Sequence, residues 1–156
     1  MQEMKPIEFQ FTLPADLETS WKWLTEEELQ KKWMKGLISL KRDDGSTEYV
    51  AGTRWHMVMQ EGKKQKDYYA TMPEVDRPNR FTLAIDAENL ALGGKILVEY
   101  KLTSIGNETV LDYRSKLVAE RFGLFLKIIS PLVMMMIRMN TRKMFNGLIA
   151  QMSVAN

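Results

Sequence analysis

The sequence predicts an α+β fold, a curved antiparallel sheet of seven strands wrapped around a long C-terminal helix, with two short helices after the first strand. Three observations carry this. Residues 7–13, IEFQFTL, alternate apolar and polar side chains and stop at Pro14, the pattern of a half-buried strand. Further alternating segments follow Gly36, separated by short turn signals, which suits an antiparallel meander. The chain then closes on an apolar segment, 130–152, that holds half of the 12 methionines. A sheet with one apolar face needs a cover, and the last segment is the only long helix on offer.

Each element has its own signal. After Pro14, ADLETSWKWL takes helical spacing through Leu17, Trp21 and Leu24. A second short helix is expected in TEEELQKKW, where Thr25 and Glu28 have capping-box spacing. Gly36 ends it. Strands are expected at 37–42, 53–60, 66–75, 80–87, 95–103 and 109–118, bounded by DDG, EGKK, DRPN, Gly93–Gly94 and GN. The final helix has two candidate starts. Ser130 and Pro131 suit an N-cap and first helical position; alternatively it begins near Gly123 and kinks at Pro131.

At 100° per residue, Met134, Ile137, Thr141, Met144, Phe145, Leu148 and Met152 fall on one stripe, with Arg142, Lys143, Asn146, Gly147 and Ala150 opposite. The C-terminal half of the helix should therefore lie on the sheet. Its N-terminal half is apolar all round, through Leu132, Met135, Met136 and Met139. Residues 122–129 or a partner would have to cover it.

Composition narrows the function classes. The 156 residues form one expected domain, 1–156, long enough to bury roughly 70% of the unfolded surface. A net charge of +2 gives little pull toward nucleic acid. With no cysteine, disulfides, thiolate metal sites and a cysteine nucleophile are excluded. The opening MQEMKPIEFQ lacks the basic start and apolar run of a signal peptide, and a cytoplasmic protein is expected. Phe122–Met139 is interrupted by Lys127 and Pro131, so no membrane span is expected where about 20 apolar residues are needed. Peripheral membrane contact, and a monomer or a homodimer, stay open.

Catalytic signatures are sparse. His56, the single histidine, alternates onto the polar face of its strand with Arg54 and Gln60. One histidine and no dense carboxylate cluster leave no expected metal site, and no cofactor is expected. There is no G-x-S-x-G, and ALGG at 91–94 lacks the G-K-[ST] of a phosphate loop. Asp43–Asp44 reads as a turn, and Glu26–Glu28 as the acidic start of a helix. Lys63, Lys64 and Lys66, and Arg138, Arg142 and Lys143, read as solvated surface. Tyr68, Tyr100 and Tyr113 share phase with apolar neighbours, and a buried phenol needs a hydrogen-bond partner. Met57, Met59 and Met72 also alternate onto one face; methionine is flexible and suits surfaces that adapt to varied apolar partners.

FTLPADLETSWKWLTEEELQKKW, GTRWHMVMQEG, EVDRPNRFTLAI, TVLDYRSKL and the closing GLFLKIISPLVMMMIRMNTRKMFNGLIAQM together resemble the SRPBCC superfamily, the START-like helix-grip fold. The likeness runs to its polyketide cyclase/dehydrase and lipid-transport-like members and covers nearly the whole chain. It implies a cavity between sheet and helix, near Trp55, Met57, Met59, Tyr68, Met72, Leu83, Tyr100, Tyr113, Ile137, Thr141 and Met144.

The expected function is binding or carriage of a hydrophobic small molecule, such as a lipid, isoprenoid or polyketide-like compound. Tyrosine hydroxyls would orient it. Two alternatives remain: a cyclase- or dehydratase-type enzyme, which needs a titratable group such as Glu99 or Asp112 turned inward, and a chaperone-activator or toxin-like interaction module.

Overall fold

Alternating apolar positions and tight turns produce one antiparallel sheet with a single apolar face. The computed structural model describes residues 2–88 and 92–155, apart from the side chains of residues 125–130 and 133. In chain order the elements are β1 (Gln2–Glu3), β2 (Ile7–Leu13), α1 (Leu17–Thr25), α2 (Glu27–Trp33), β3 (Leu37–Arg42), β4 (Arg54–Glu61), β5 (Lys64–Thr71), β6 (Val75–Asp76), β7 (Arg80–Asp86), β8 (Lys95–Ile105), β9 (Glu108–Ala119) and α3 (Leu124–Ala155). The sheet runs β1-β9-β8-β7-β5-β4-β3, with β2 also on β9 and β6 also on β7. Seven long strands match the expected meander, and β1 and β6 add two-residue extensions.

The expected strand 66–75 stops at Thr71. Pro73 has no N–H to give a ladder, and the chain changes partner there. Met72 still pairs with residues 52 and 53 beyond β4, through Gly52 N–H donating to Met72 O at 2.7 Å. Val75 already lies opposite Phe81 on β7. Between β5 and β7 only two residue pairs are made, Ala70 with Ile85 and Thr71 with Ala84.

The expected capping box is not formed. Asp16 caps α1 by accepting from the Thr19 N–H at 2.8 Å. Thr25 is the last residue of that helix, and its hydroxyl donates back to the Trp21 carbonyl at 2.8 Å. Glu26 serves as the N-cap of α2 without a side-chain bond. The two helices are tied by the Trp33 indole N–H, which donates to the Trp23 carbonyl at 2.9 Å.

α3 takes the earlier of its two candidate starts and carries Pro131 inside it; the Ser130 side chain lies outside the described residues. Thr141, Phe145, Leu148 and Met152 form its buried stripe, resting on β2 and α2. Phe145 sits among the rings of Phe11 (5.1 Å), Tyr113 (5.0 Å), Trp33 (5.8 Å) and Tyr100 (6.1 Å). The start of the helix is different. Leu132, Met135, Met136, Ile137 and Met139 are exposed, Met139 at 64%. The expected cover, residues 122–129, falls mostly on side chains outside the described ones.

The turn from α2 into β3 depends on Gly36. Its φ is +86°, and a Cβ there would stand 2.6 Å from the Gln60 carbonyl oxygen on β4. That contact is with backbone, which cannot rotate away. Gly36→Ala is therefore expected to lower stability by about 1–3 kcal/mol, read as a lower midpoint in urea unfolding with an unchanged slope.

Candidate functional site

Cross-strand pairing builds the inner wall. Phe81, Tyr100, Tyr113 and Phe9 lie opposite one another on β7, β8, β9 and β2. The Phe81 and Tyr100 rings stack at 4.4 Å, and Tyr100 meets Tyr113 edge-on at 5.3 Å. Tyr49, from the irregular segment after β3, closes against Trp55 at 4.9 Å and Phe81 at 5.2 Å. Between this wall, α2 and one turn of α3 lies a cavity of about 190 Å³.

Eight of the residues expected from sequence line it: Trp55, Met57, Tyr68, Met72, Leu83, Tyr100, Tyr113 and Met144. Three do not. Met59 points to the same face as Met57 but pairs with Lys66, a step nearer the β4–β5 turn and past the end of the cavity. Thr141 is 8% exposed within the α3 stripe, away from the cavity. Ile137, one turn earlier, is 41% exposed because the packed part of α3 begins after it. Sequence reasoning also missed liners. Tyr49 lies where no periodicity marks it. Gln30 and Trp33 line the cavity from α2; their three-residue spacing, which puts both on one helix face, was the available signal.

No liner among the described residues is charged. Glu99 bonds Arg80 at 2.9 Å and Asp112 accepts from Gln10 at 3.0 Å, both outside the cavity. His56 stacks on Tyr69 and meets Asp67 at 2.8 Å, and it does not line the cavity. Among the described residues the polar groups of the lining are phenols, one amide and the indole N–H groups of Trp33 and Trp55, which donate to the Trp23 carbonyl and the Thr53 hydroxyl. The Tyr68 hydroxyl is committed to Glu61 at 2.9 Å. Tyr100 lies deep yet lines the cavity, and among the described residues its hydroxyl has no hydrogen-bond partner.

Gln30 is 3% exposed. Its Nε2 donates to the Leu24 carbonyl at 2.8 Å and to the Tyr49 hydroxyl at 3.0 Å. Its Oε1 is buried with no partner among the described residues. Leaving such an acceptor unsatisfied costs about 1–3 kcal/mol.

Burial raises the Tyr100 hydroxyl well above the ordinary phenol range, and it raises Tyr49 too, against a hydrogen bond from Gln30. Burial also raises Tyr113, opposed by Ser115. These groups therefore stay neutral, as donors, at any working pH. The folded protein keeps these protons where the unfolded chain loses them, so stability is full below about pH 10 and falls as pH rises above it. Melting temperature is expected to drop above pH 10, and the drop to flatten in Tyr49→Phe and Tyr100→Phe.

The fold recurs among solved structures of low sequence identity. Ara h 8.0201 superposes with a TM-score of 0.72 at 14% identity, covering 97% of this chain and 99% of that one. A Rhodobacter sphaeroides protein gives 0.74 at 13%, covering 97% and 93%. Norcoclaurine synthase from Thalictrum flavum, in complex with dopamine and hydroxybenzaldehyde, gives 0.65 at 15%, covering 97% and 88%. No curated protein matches the chain. One family does match, over residues 14–122, from the end of β2 to the residues just before α3. That span holds every described cavity liner except Met144, and on it the chain belongs to the Activator of Hsp90 ATPase homolog 1-like protein family, within the helix-grip SRPBCC superfamily.

Proposed function

We propose that the protein binds a hydrophobic small molecule in the cavity between sheet, α2 and α3. The observation that carries this is a recess walled by aromatic and methionine side chains, with no charged liner among the described residues. Apolar burial would supply the affinity, and the Tyr100 hydroxyl would orient the ligand. The lining supports binding over acid–base catalysis, because its titratable groups among the described residues are phenols held protonated.

Naphthalene, titrated against the wild-type protein and followed by tryptophan fluorescence, is expected to bind saturably at one equivalent. Ala70→Leu, which fills the cavity from β5, should abolish that binding while far-UV circular dichroism is kept. Tyr100→Phe should weaken a hydroxyl-bearing ligand by roughly 3–10-fold. Failure of naphthalene to saturate the wild-type protein would sink the reading.

The exposed start of α3 favours a second reading, in which the chain stimulates an Hsp90-type ATPase as the family's name describes. Leu132, Met135, Met136 and Met139 form an apolar surface beside the exposed Arg138, Arg142 and Lys143, complementary to an apolar groove rimmed by carboxylates. Steady-state ATPase of the same organism's Hsp90 should then rise on adding the protein and return to baseline with Met135→Lys/Met139→Lys. No stimulation by the wild-type chain would remove this reading.

A further inference from the structure

We infer that the cavity takes a hydrophobic molecule carrying a carbonyl oxygen, and that the Tyr100 hydroxyl donates a hydrogen bond to that oxygen; this rests on the cavity-binding reading above. Strand register fixes the phenol first. Tyr100 stands on β8 between Phe81 and Tyr113. Phe81 stacks on its ring, and Tyr113 and Phe145 meet it edge-on. These contacts hold the ring, and with it the line along which the hydroxyl points.

Access comes second. Among the described residues, the sealed side-chain polar atoms without a partner are Gln30 Oε1 and Arg80 Nε. The Tyr100 oxygen also lacks a partner there and is not one of them, so it keeps accessible surface. The residue is half-buried, and the space it lines is the cavity. The recess on the outer side of β8 and β9 is lined by Glu99, Lys101 and Tyr113, without Tyr100. The free hydroxyl therefore faces the cavity.

The other phenols are engaged. Tyr68 donates to Glu61, Tyr49 accepts from Gln30, and Ser115 bonds the Tyr113 oxygen. Tyr69 turns its ring outward, against His56 and Arg54. Tyr100 is left with a proton that needs an acceptor. A ligand N–H does not supply one. A carboxylate would, but it would give up its hydration with no cationic liner among the described residues to offset the loss. A ketone, quinone or lactone carbonyl accepts without bringing a charge.

1-Indanone and indane share a skeleton and differ by a carbonyl in place of a methylene. Each is titrated by displacement of naphthalene. Tyr100→Phe is expected to weaken 1-indanone roughly 3–10-fold and to leave indane unchanged. In the wild-type protein the carbonyl stretch of bound 1-indanone should lie below its position in an apolar solvent, and in the variant it should return there. If the variant does not fold, the wild-type stretch decides alone. An equal effect on both probes, or an unshifted stretch, would overturn the role of Tyr100 and leave the cavity-binding reading standing. Indole weakened by Tyr100→Phe as much as 1-indanone would overturn the acceptor class, and so would 2-naphthoate. Failure of 1-indanone, indane and naphthalene alike would overturn both readings.

Discussion

The aromatic rung across β7, β8 and β9 is the contact on which the rest depends. Phe81, Tyr100 and Tyr113 sit side by side because the register of three strands puts them there. Phe145 closes on two of them from α3, and Tyr49, Trp21 and Trp55 continue the ring contacts beyond Phe81. Each well-placed pair adds about 0.5–1.5 kcal/mol beyond its buried area. The helix is therefore held to the sheet by the same rings that form the cavity's inner wall. Core and site are not separate regions here, and a change that loosens one loosens the other.

α2 shows how closely opposing demands are set. Trp33 and Gln30 share a helix face three residues apart. Trp33 fills space, stacks on Phe145 and anchors its helix through the indole N–H. Gln30 holds Tyr49 and the end of α1 with its nitrogen, and its oxygen has no partner among the described residues. A leucine there would give up both of those bonds. The wall's other soft members, Met57, Met72 and Met144, have three rotatable bonds and no polar hydrogen. Shape can adapt along that side, while the phenols and the Gln30 amide set where the polar groups lie.

Much of the sheet could be read before the structure, because period-two alternation is a local property. Trp55 and Met57, or Tyr100 and Tyr113, follow from counting along one strand. What alternation cannot show is where a cavity ends. Met59 has the right phase and lies past its edge. Ile137 has the right angle on α3 but precedes the part that packs, since helical phase says nothing about how far a neighbour extends. Tyr49 comes from an aperiodic stretch, so only tertiary contact reveals it. Gln30 had a signal, its phase with Trp33, yet a glutamine on a short, charged helix reads as surface until its partners are known.

The partial seam between β5 and β7 has a consequence for how the molecule avoids its own copies. Because only Ala70 and Thr71 pair across it, the stretch Lys64–Tyr69 has no strand partner on that side among the described residues. A flat apolar edge of this kind would invite a strand from another chain. Here its first four residues are Lys64, Gln65, Lys66 and Asp67, all exposed. Charges of both signs along an open edge make a stacked neighbour desolvate them. The polarity of this hairpin, unremarkable as surface, works as a guard against fibrous growth, and it lets the sheet stay open beside the cavity without becoming a template.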